Sequence, residues 1–72
     1  MSRRVLIVDD EPNIRGALGQ LLEYEGYDVR AVASGLAGIA AYEEFRPHLT
    51  FLDVKMEGID GLETLKRLRA LD

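Results

Sequence analysis

The sequence predicts an α/β fold in which three parallel strands, in the order 2-1-3, alternate with three helices. Two observations lead to this prediction. The runs RVLIV at Arg4 to Val8 and LTFL at Leu49 to Leu52 are mainly apolar, which is typical of parallel strands buried on both faces. Segments with helical spacing of apolar residues follow the strand-like runs, and this alternation indicates right-handed βαβ units.

The elements between these runs follow from local signals. Pro12 suits the first turn of a helix, Gly26 suits its end, and apolar residues recur between them at Ile14, Leu18, Leu21 and Leu22. Tyr27 to Val32 (YDVRAV) alternates apolar and polar residues, as expected of a strand at the edge of a sheet.

A second helix is predicted from Ser34, its cap, to about Phe45, because Pro47 blocks any continuation. Its expected buried stripe is Leu36, Ala37, Ala40 and Ala41. A third, partly amphipathic helix is predicted from Leu62, with Leu65, Leu68 and Leu71.

Length and composition restrict the function classes. The chain has 72 residues, no cysteine and a net charge of −4, so we expect one small core, no disulfide and no thiolate metal site. The nine basic residues are scattered, which argues against direct binding of nucleic acid. The start MSRRVLIVDD resembles neither a signal peptide nor a membrane span, so we expect a cytoplasmic protein that does not contact membranes.

Acidic residues directly follow the two apolar strands. Asp9, Asp10 and Glu11 follow the first strand, and Asp53 follows the third. Ligands of parallel sheets bind at the carboxyl ends of the strands, and neighbouring strands lie about 4.8 Å apart. Three converging carboxylates repel one another unless a hard cation such as Mg²⁺ lies among them, and a cation there suits phosphoryl transfer to one of the acids.

The stretches VLIVDDEP and FLDVKMEGIDG resemble the receiver domain of bacterial two-component response regulators, and the resemblance extends over residues 1–72 as the amino-terminal part of such a domain. It implies a truncated flavodoxin-like fold and a phosphoacceptor at Asp53, phosphorylated by a sensor histidine kinase. It also implies that Asp10, Asp53 and the backbone carbonyl of Lys55 bind Mg²⁺ directly, and that Asp9 binds it through water. The resemblance thus implies that the chain is a signalling switch and not an enzyme. In the full-length protein, this switch would control transcription.

Two departures from the family pattern modify these expectations. Glu57 stands where the family usually has proline, which leaves the loop less rigid and adds negative charge near the site. The hydroxyl residue and the lysine that follow strands four and five of the family are absent, so we expect weak metal binding and impaired or lost phosphorylation. Strand three becomes an unpaired apolar edge, which predicts self-association.

Three alternatives remain open. In the first, the chain is a structural, self-assembling unit without switching. In the second, it is an aspartyl-phosphate phosphotransferase of the haloacid-dehalogenase type, and the third concerns His48. The second requires Asp-x-Asp-x-Thr after strand one, whereas Asp9 is followed directly by Asp10. His48, the only histidine, is a candidate phosphoryl carrier or metal ligand, but it precedes strand three and is expected at the wrong end of the sheet.

Overall fold

The computed structural model describes residues 3–53 and 66–70. Five elements follow one another along the first range: β1 (Arg4–Val8), α1 (Pro12–Tyr24), β2 (Asp28–Val32), α2 (Gly35–Phe45) and β3 (Leu49–Leu52). Residues 66–70 form a third helical segment. The third helix was predicted to begin at Leu62, and that residue, Leu65 and Leu71 lie outside the described residues.

The three strands form one parallel sheet in the order β2-β1-β3, as predicted. Val5 lies opposite Val29 on one side and Leu49 on the other, and Val8 likewise lies between Val32 and Leu52. Because β1 is central and is followed by connections that lead to opposite sides, its carboxyl end is the switch point where α/β sheets bind ligands.

The start and end of α1 are set by the residues predicted for them. Pro12 occupies the first turn, and the side chain of Glu11 accepts a hydrogen bond from the Asn13 N–H. Gly26 has a positive φ of 95°, which costs glycine little. Tyr27 was predicted to begin β2, and this was wrong, since the strand begins at Asp28. The Tyr27 N–H instead donates to the Leu22 carbonyl and closes the end of α1.

The helix α2 packs against β1 through small residues. Ser34 caps it as predicted, by accepting a hydrogen bond from the Ala37 N–H. The predicted stripe was wrong in part, since Leu36 and Ala40 are exposed, whereas Ala41 is buried. The buried residues of α2 are Gly35, Gly38 and Ala41, and they let the helix approach β1 closely.

The core is built around β1. Val5, Leu6, Ile7 and Val8 are each at most 1% exposed, so this strand is buried on both faces as predicted. On the α2 side, Leu6 and Val8 pack with Ala41, and Leu52 of β3 adds to that cluster. Leu68 of the third helical segment is also buried.

The other side of the sheet is less well covered. Residues Ile14 and Leu21 of α1 are more than half exposed, although the pattern placed them on the apolar side of the helix. Leu49 and Phe51 of β3 are 53% and 38% exposed. The prediction from composition that LTFL is buried on both faces was therefore wrong. Within the described residues, β3 forms one edge of the sheet, and no helix there is long and apolar enough to cross a membrane.

Candidate functional site

The sheet holds Asp9 and Asp53 side by side just beyond the ends of their strands. The Asp9 N–H donates to the Val32 carbonyl at 3.1 Å, and the Asp53 N–H donates to the Val8 carbonyl at 2.9 Å. Both bonds continue the parallel ladder by one residue. The backbone of each aspartate is therefore fixed by the neighbouring strand.

The three predicted aspartates converge at this point. Asp9, Asp10 and Asp53 each offer one carboxylate oxygen, and these oxygens all lie within 4.8 Å of one another. Asp9 and Asp53 are partly buried, and Asp10 is exposed. Three carboxylates so close are repulsive without a counter-charge. The arrangement is thus an oxygen-rich cluster that could hold a metal ion.

A cation with a short metal–oxygen distance fits this donor set. Two oxygens bound at 2.0 to 2.1 Å to the same Mg²⁺ lie at most about 4.2 Å apart. Oxygens that all lie within 4.8 Å of one another are close to this limit, so the cluster has the size of a site that could hold such an ion. Carboxylate oxygens and water are also the ligands that Mg²⁺ prefers.

Hydrogen bonds order the loop that carries Asp9 and Asp10. The Glu11 N–H donates to Asp9 Oδ1 at 2.9 Å, and Arg15 Nη1 donates to the Asp9 carbonyl at 2.8 Å. The sequence analysis did not identify Arg15. A signal existed, because a cation near the start of a helix opposes the helix dipole and calls for another partner.

A shallow apolar groove adjoins the acidic cluster on the α1 side of the sheet. Its volume is about 350 Å³, and it is lined by Ile7, Ile14, Leu18 and Phe51, with Asp9 and Asp53 at its acidic end. The acids therefore border a low-polarity surface on one side, which limits their access to water there.

Lys55 and Glu57 lie outside the described residues, so the predicted carbonyl ligand and the expected effect of the missing proline stay predictions. His48 lies at the opposite end of β3 from Asp53. Its ring atom Nδ1 accepts a hydrogen bond from the Arg4 backbone N–H at 2.9 Å, and the backbone N–H of His48 donates to the Arg4 carbonyl. Its contacts join β1 to β3 and are structural, in agreement with the expected position away from the site.

The chain belongs to the response regulator receiver domain family, whose model matches residues 5–72. This finding confirms the resemblance on which the sequence analysis relied. It also agrees with the strand order and with the convergence of the acids at the carboxyl ends of β1 and β3.

Individual relatives include regulators of different kinds. Sporulation initiation phosphotransferase F of Bacillus subtilis is 40% identical over 72 residues, which are 100% of this chain and 58% of that protein. Transcriptional regulatory protein TrcR of Mycobacterium tuberculosis is 41% identical over 69 residues, 96% of this chain and 27% of that protein. The chain thus spans little more than half of the first relative and a smaller share of the second.

Among solved structures, the response regulator TrrA of Thermotoga maritima, crystallised in complex with Mg²⁺-BeF, is similar with a TM-score of 0.91. It is 37% identical, and the match covers 97% of this chain and 61% of that one. TrrA has also been crystallised with the histidine kinase ThkA, and that structure matches with a TM-score of 0.89.

These findings favour the receiver interpretation over the alternatives. Receiver domains in general are not catalytic enzymes, although one relative carries the name phosphotransferase. Neither the structural unit without switching nor the phosphotransferase of the haloacid-dehalogenase type gains support from the family match.

Proposed function

We propose that Asp53 accepts a phosphoryl group from a sensor histidine kinase and that Mg²⁺ assists the transfer. The observation that carries the proposal is the convergence of Asp9, Asp10 and Asp53 within 4.8 Å at the carboxyl ends of β1 and β3 in a chain of the receiver family. The crystal structure of TrrA with ThkA supports a kinase as the class of partner.

In the proposed site, Asp10, Asp53 and the backbone carbonyl of Lys55 bind Mg²⁺ directly, and Asp9 binds it through water. When bound, the ion offsets negative charge on the phosphoryl oxygens. The exposed Asp10 and the partly buried Asp9 supply charge that attracts the cation. Asp53 is held by its N–H bond to the Val8 carbonyl, which keeps its side chain at the mouth of the groove.

Asp53 is the nucleophile of the proposed reaction. One of its carboxylate oxygens attacks the phosphorus of a phosphohistidine on the kinase, and an oxygen–phosphorus bond forms as the phosphorus–nitrogen bond breaks. The imidazole nitrogen keeps the electron pair and takes a proton from solvent. The chain gains an acyl phosphate, and the kinase regains a neutral histidine.

The wider function is proposed by analogy with the relatives. Residues 1–72 are then part of one receiver domain of a cytoplasmic response regulator, and the name of TrcR supports transcription control as the output. In this proposal the chain acts as a switch that receives a phosphoryl group, and it is not an enzyme.

Incorporation of phosphoryl groups from acetyl phosphate tests the role of Asp53. The wild-type chain, incubated with acetyl phosphate and Mg²⁺, should gain the mass of one phosphoryl group. The gain should be slower than in a receiver domain that has the hydroxyl residue and the lysine of strands four and five, and chelation of Mg²⁺ should prevent it. Asp53→Asn should gain nothing. Asp28→Asn is the matched control, because Asp28 lies at the start of β2, at the other end of the sheet. Incorporation that survives Asp53→Asn contradicts the proposal.

We further propose that copies of the chain associate through β3. The observation that favours this is the position of β3 at an edge of the described sheet, with Leu49 and Phe51 partly exposed. An apolar edge strand has unpaired backbone groups that recruit another strand. Two such edges can pair around a two-fold axis, since the same surface then serves both copies.

A further inference from the structure

Arg15 reaches from α1 back to the loop that carries two of the three acids. Its Nη1 donates to the Asp9 carbonyl at 2.8 Å, and the side chain is partly buried. The helix start does not favour a cation, because the helix dipole is positive there. The contact with the Asp9 carbonyl provides the compensating interaction.

This contact completes the hydrogen bonding of Asp9. The Asp9 N–H is bound to β2, its carboxylate accepts from the Glu11 N–H, and its carbonyl accepts from Arg15. The Arg15 N–H also donates to the Glu11 carbonyl at 2.9 Å. This second bond is the first backbone bond of α1, so it is the side chain of Arg15 that joins the end of β1 to the first turn of α1.

Asp10 depends on this arrangement. Its side chain is exposed and makes no hydrogen bond to the described residues, so its position follows from the backbone on either side of it. Asp9 and Glu11 are those neighbours, and Arg15 bonds to the carbonyl of each. Loss of the guanidinium releases the Asp9 carbonyl, which is half of the peptide bond to Asp10.

We propose that Arg15 is a positioning residue that holds the Asp9–Asp10 loop against Asp53 and thereby raises the affinity of the site for a divalent cation. This inference rests on the proposed Mg²⁺ site. Ordering of ligands by neighbouring hydrogen bonds changes metal affinity by about 10- to 100-fold in protein sites. Since Arg15 contacts main chain and not a ligand side chain, we expect an effect near the lower end of that range.

The charge of Arg15 predicts the opposite effect. A guanidinium near a cation site repels the cation, so its removal alone should strengthen Mg²⁺ binding. Loss of positioning should weaken it. The sign of the change in affinity therefore distinguishes positioning from simple electrostatics.

Calorimetric titration of the 72-residue chain with MgCl₂ tests the inference. Arg15→Met, which keeps an apolar stem, should bind Mg²⁺ about tenfold more weakly than wild type. Arg15→Lys, which keeps the charge and a donor, should be intermediate. Arg30→Met is the control with the same change of charge, because Arg30 lies on the α2 side of the sheet, over the Phe45 ring and 3.4 Å from Glu44. Its affinity should equal that of wild type.

Hydrogen exchange in the absence of metal provides a second readout. The Glu11 amide, which donates to Asp9 Oδ1, should exchange faster in Arg15→Met than in wild type, while amides of β1 keep their protection. A general loss of stability would instead accelerate the β1 amides as well. Arg15→Lys serves the same comparison if Arg15→Met does not fold.

Each outcome decides one of the two proposals. Equal or tighter Mg²⁺ binding by Arg15→Met, or unchanged exchange of the Glu11 amide, overturns the positioning role alone. A wild-type chain that binds no Mg²⁺ overturns the proposed metal site. An Asp10→Asn variant that binds Mg²⁺ as tightly as wild type overturns it as well. In that case the proposed effect of Arg15 on Mg²⁺ affinity is overturned too. The hydrogen-exchange rate of the Glu11 amide still shows whether Arg15 orders the loop.

Discussion

Asp10 is the exposed member of the acidic cluster, and its charge has opposite effects without and with a cation. In the metal-free chain it repels Asp9 and Asp53, whose oxygens lie within 4.8 Å. Two unit charges at such a distance repel by about 1 kcal/mol in water. With Mg²⁺ bound, the same charge contributes attraction.

We therefore predict that Asp10→Asn raises the free energy of unfolding of the metal-free chain by about 1 kcal/mol, in line with the repulsion that it removes. Urea denaturation in the presence of a chelator measures this. Added Mg²⁺ should stabilise wild type more than the variant, because ligand binding to the folded state adds to its stability. A variant that is less stable than wild type without metal would show that the three carboxylates do not repel.

His48 joins β1 to β3 at the end of the sheet away from the acids. Its Nδ1 is the acceptor for the Arg4 N–H, and Arg4 Nε in turn donates to the carbonyls of Phe45 and Arg46 at the end of α2. These bonds link three elements at one corner of the fold.

We predict that His48→Ala lowers the free energy of unfolding by about 1 kcal/mol, because the Arg4 N–H loses its acceptor. His48→Asn should retain most of the stability, since its side-chain oxygen occupies nearly the same position as Nδ1. Thermal unfolding of both variants checks this. Equal destabilisation by the two changes would indicate that the ring packs there and that its nitrogen is unimportant.

Single residues show which parts of the site could be predicted from the sequence. Asp9, Asp10 and Asp53 could be predicted because they follow the two mainly apolar runs of the sequence, whose bounds as strands were predicted correctly. The partners of Arg15 and His48 could not be predicted, because they are backbone groups across a loop or distant in sequence, although a cation near a helix start was a signal for Arg15 and the end of the sheet at which His48 lies was predicted correctly. A side chain that binds a backbone carbonyl, as Arg15 does, or a backbone N–H, as His48 does, leaves no pattern of residue types.

At the scale of elements, close packing of α2 on β1 rests on one glycine. A Cβ added at Gly38 would lie 2.8 Å from Val8 Cγ2 and 3.1 Å from its Cγ1, so Val8 or the helix would have to shift. Gly16, in α1, has nothing within 4 Å of the corresponding position. The two helices therefore offer the same substitution in opposite surroundings.

We predict that Gly38→Ala destabilises the chain by up to about 2 kcal/mol, because an overpacking cost of about 1 to 3 kcal/mol exceeds the gain of up to about 1 kcal/mol in helix propensity. Gly16→Ala should be stabilising by up to about 1 kcal/mol, because only the propensity changes. Chemical denaturation of the pair measures both. Stabilisation by both substitutions would contradict the close approach of α2 to β1.

The same glycine explains why the stripe of α2 was only partly predicted. Hydrophobicity placed Leu36 on the buried side, whereas the helix buries Gly35, Gly38 and Ala41 and leaves Leu36 61% exposed. Small residues permit close contact with a sheet, but a pattern based on apolar character ranks leucine above glycine. The strands β1 and β3, in contrast, have the predicted bounds.

At the scale of the whole molecule, the two faces of the sheet differ in cover. The α2 side holds a cluster of buried side chains. The α1 side leaves Leu49 exposed, and Ile14 and Phe51 are exposed around the groove. Together with the edge of β3, this surface favours association of copies.

We predict that the wild-type chain shows a concentration-dependent mass in sedimentation equilibrium and that Phe51→Lys shifts it to monomer, because a charge on an edge strand opposes pairing. Leu36→Lys is the matched control, since Leu36 is exposed on α2 away from β3. A wild-type chain that stays monomeric at high concentration would contradict association through β3.

The position of the phosphoryl group tests the central claim most directly. Borohydride reduces an aspartyl phosphate to homoserine, and fragmentation of the treated chain by mass spectrometry locates the change. After incubation with acetyl phosphate and Mg²⁺, the fraction of chains that is phosphorylated, however small, should carry homoserine at position 53, with Asp9 and Asp10 unmodified. Homoserine at position 9 or 10, or a phosphoryl group retained on His48, would contradict the assignment of Asp53 as the acceptor.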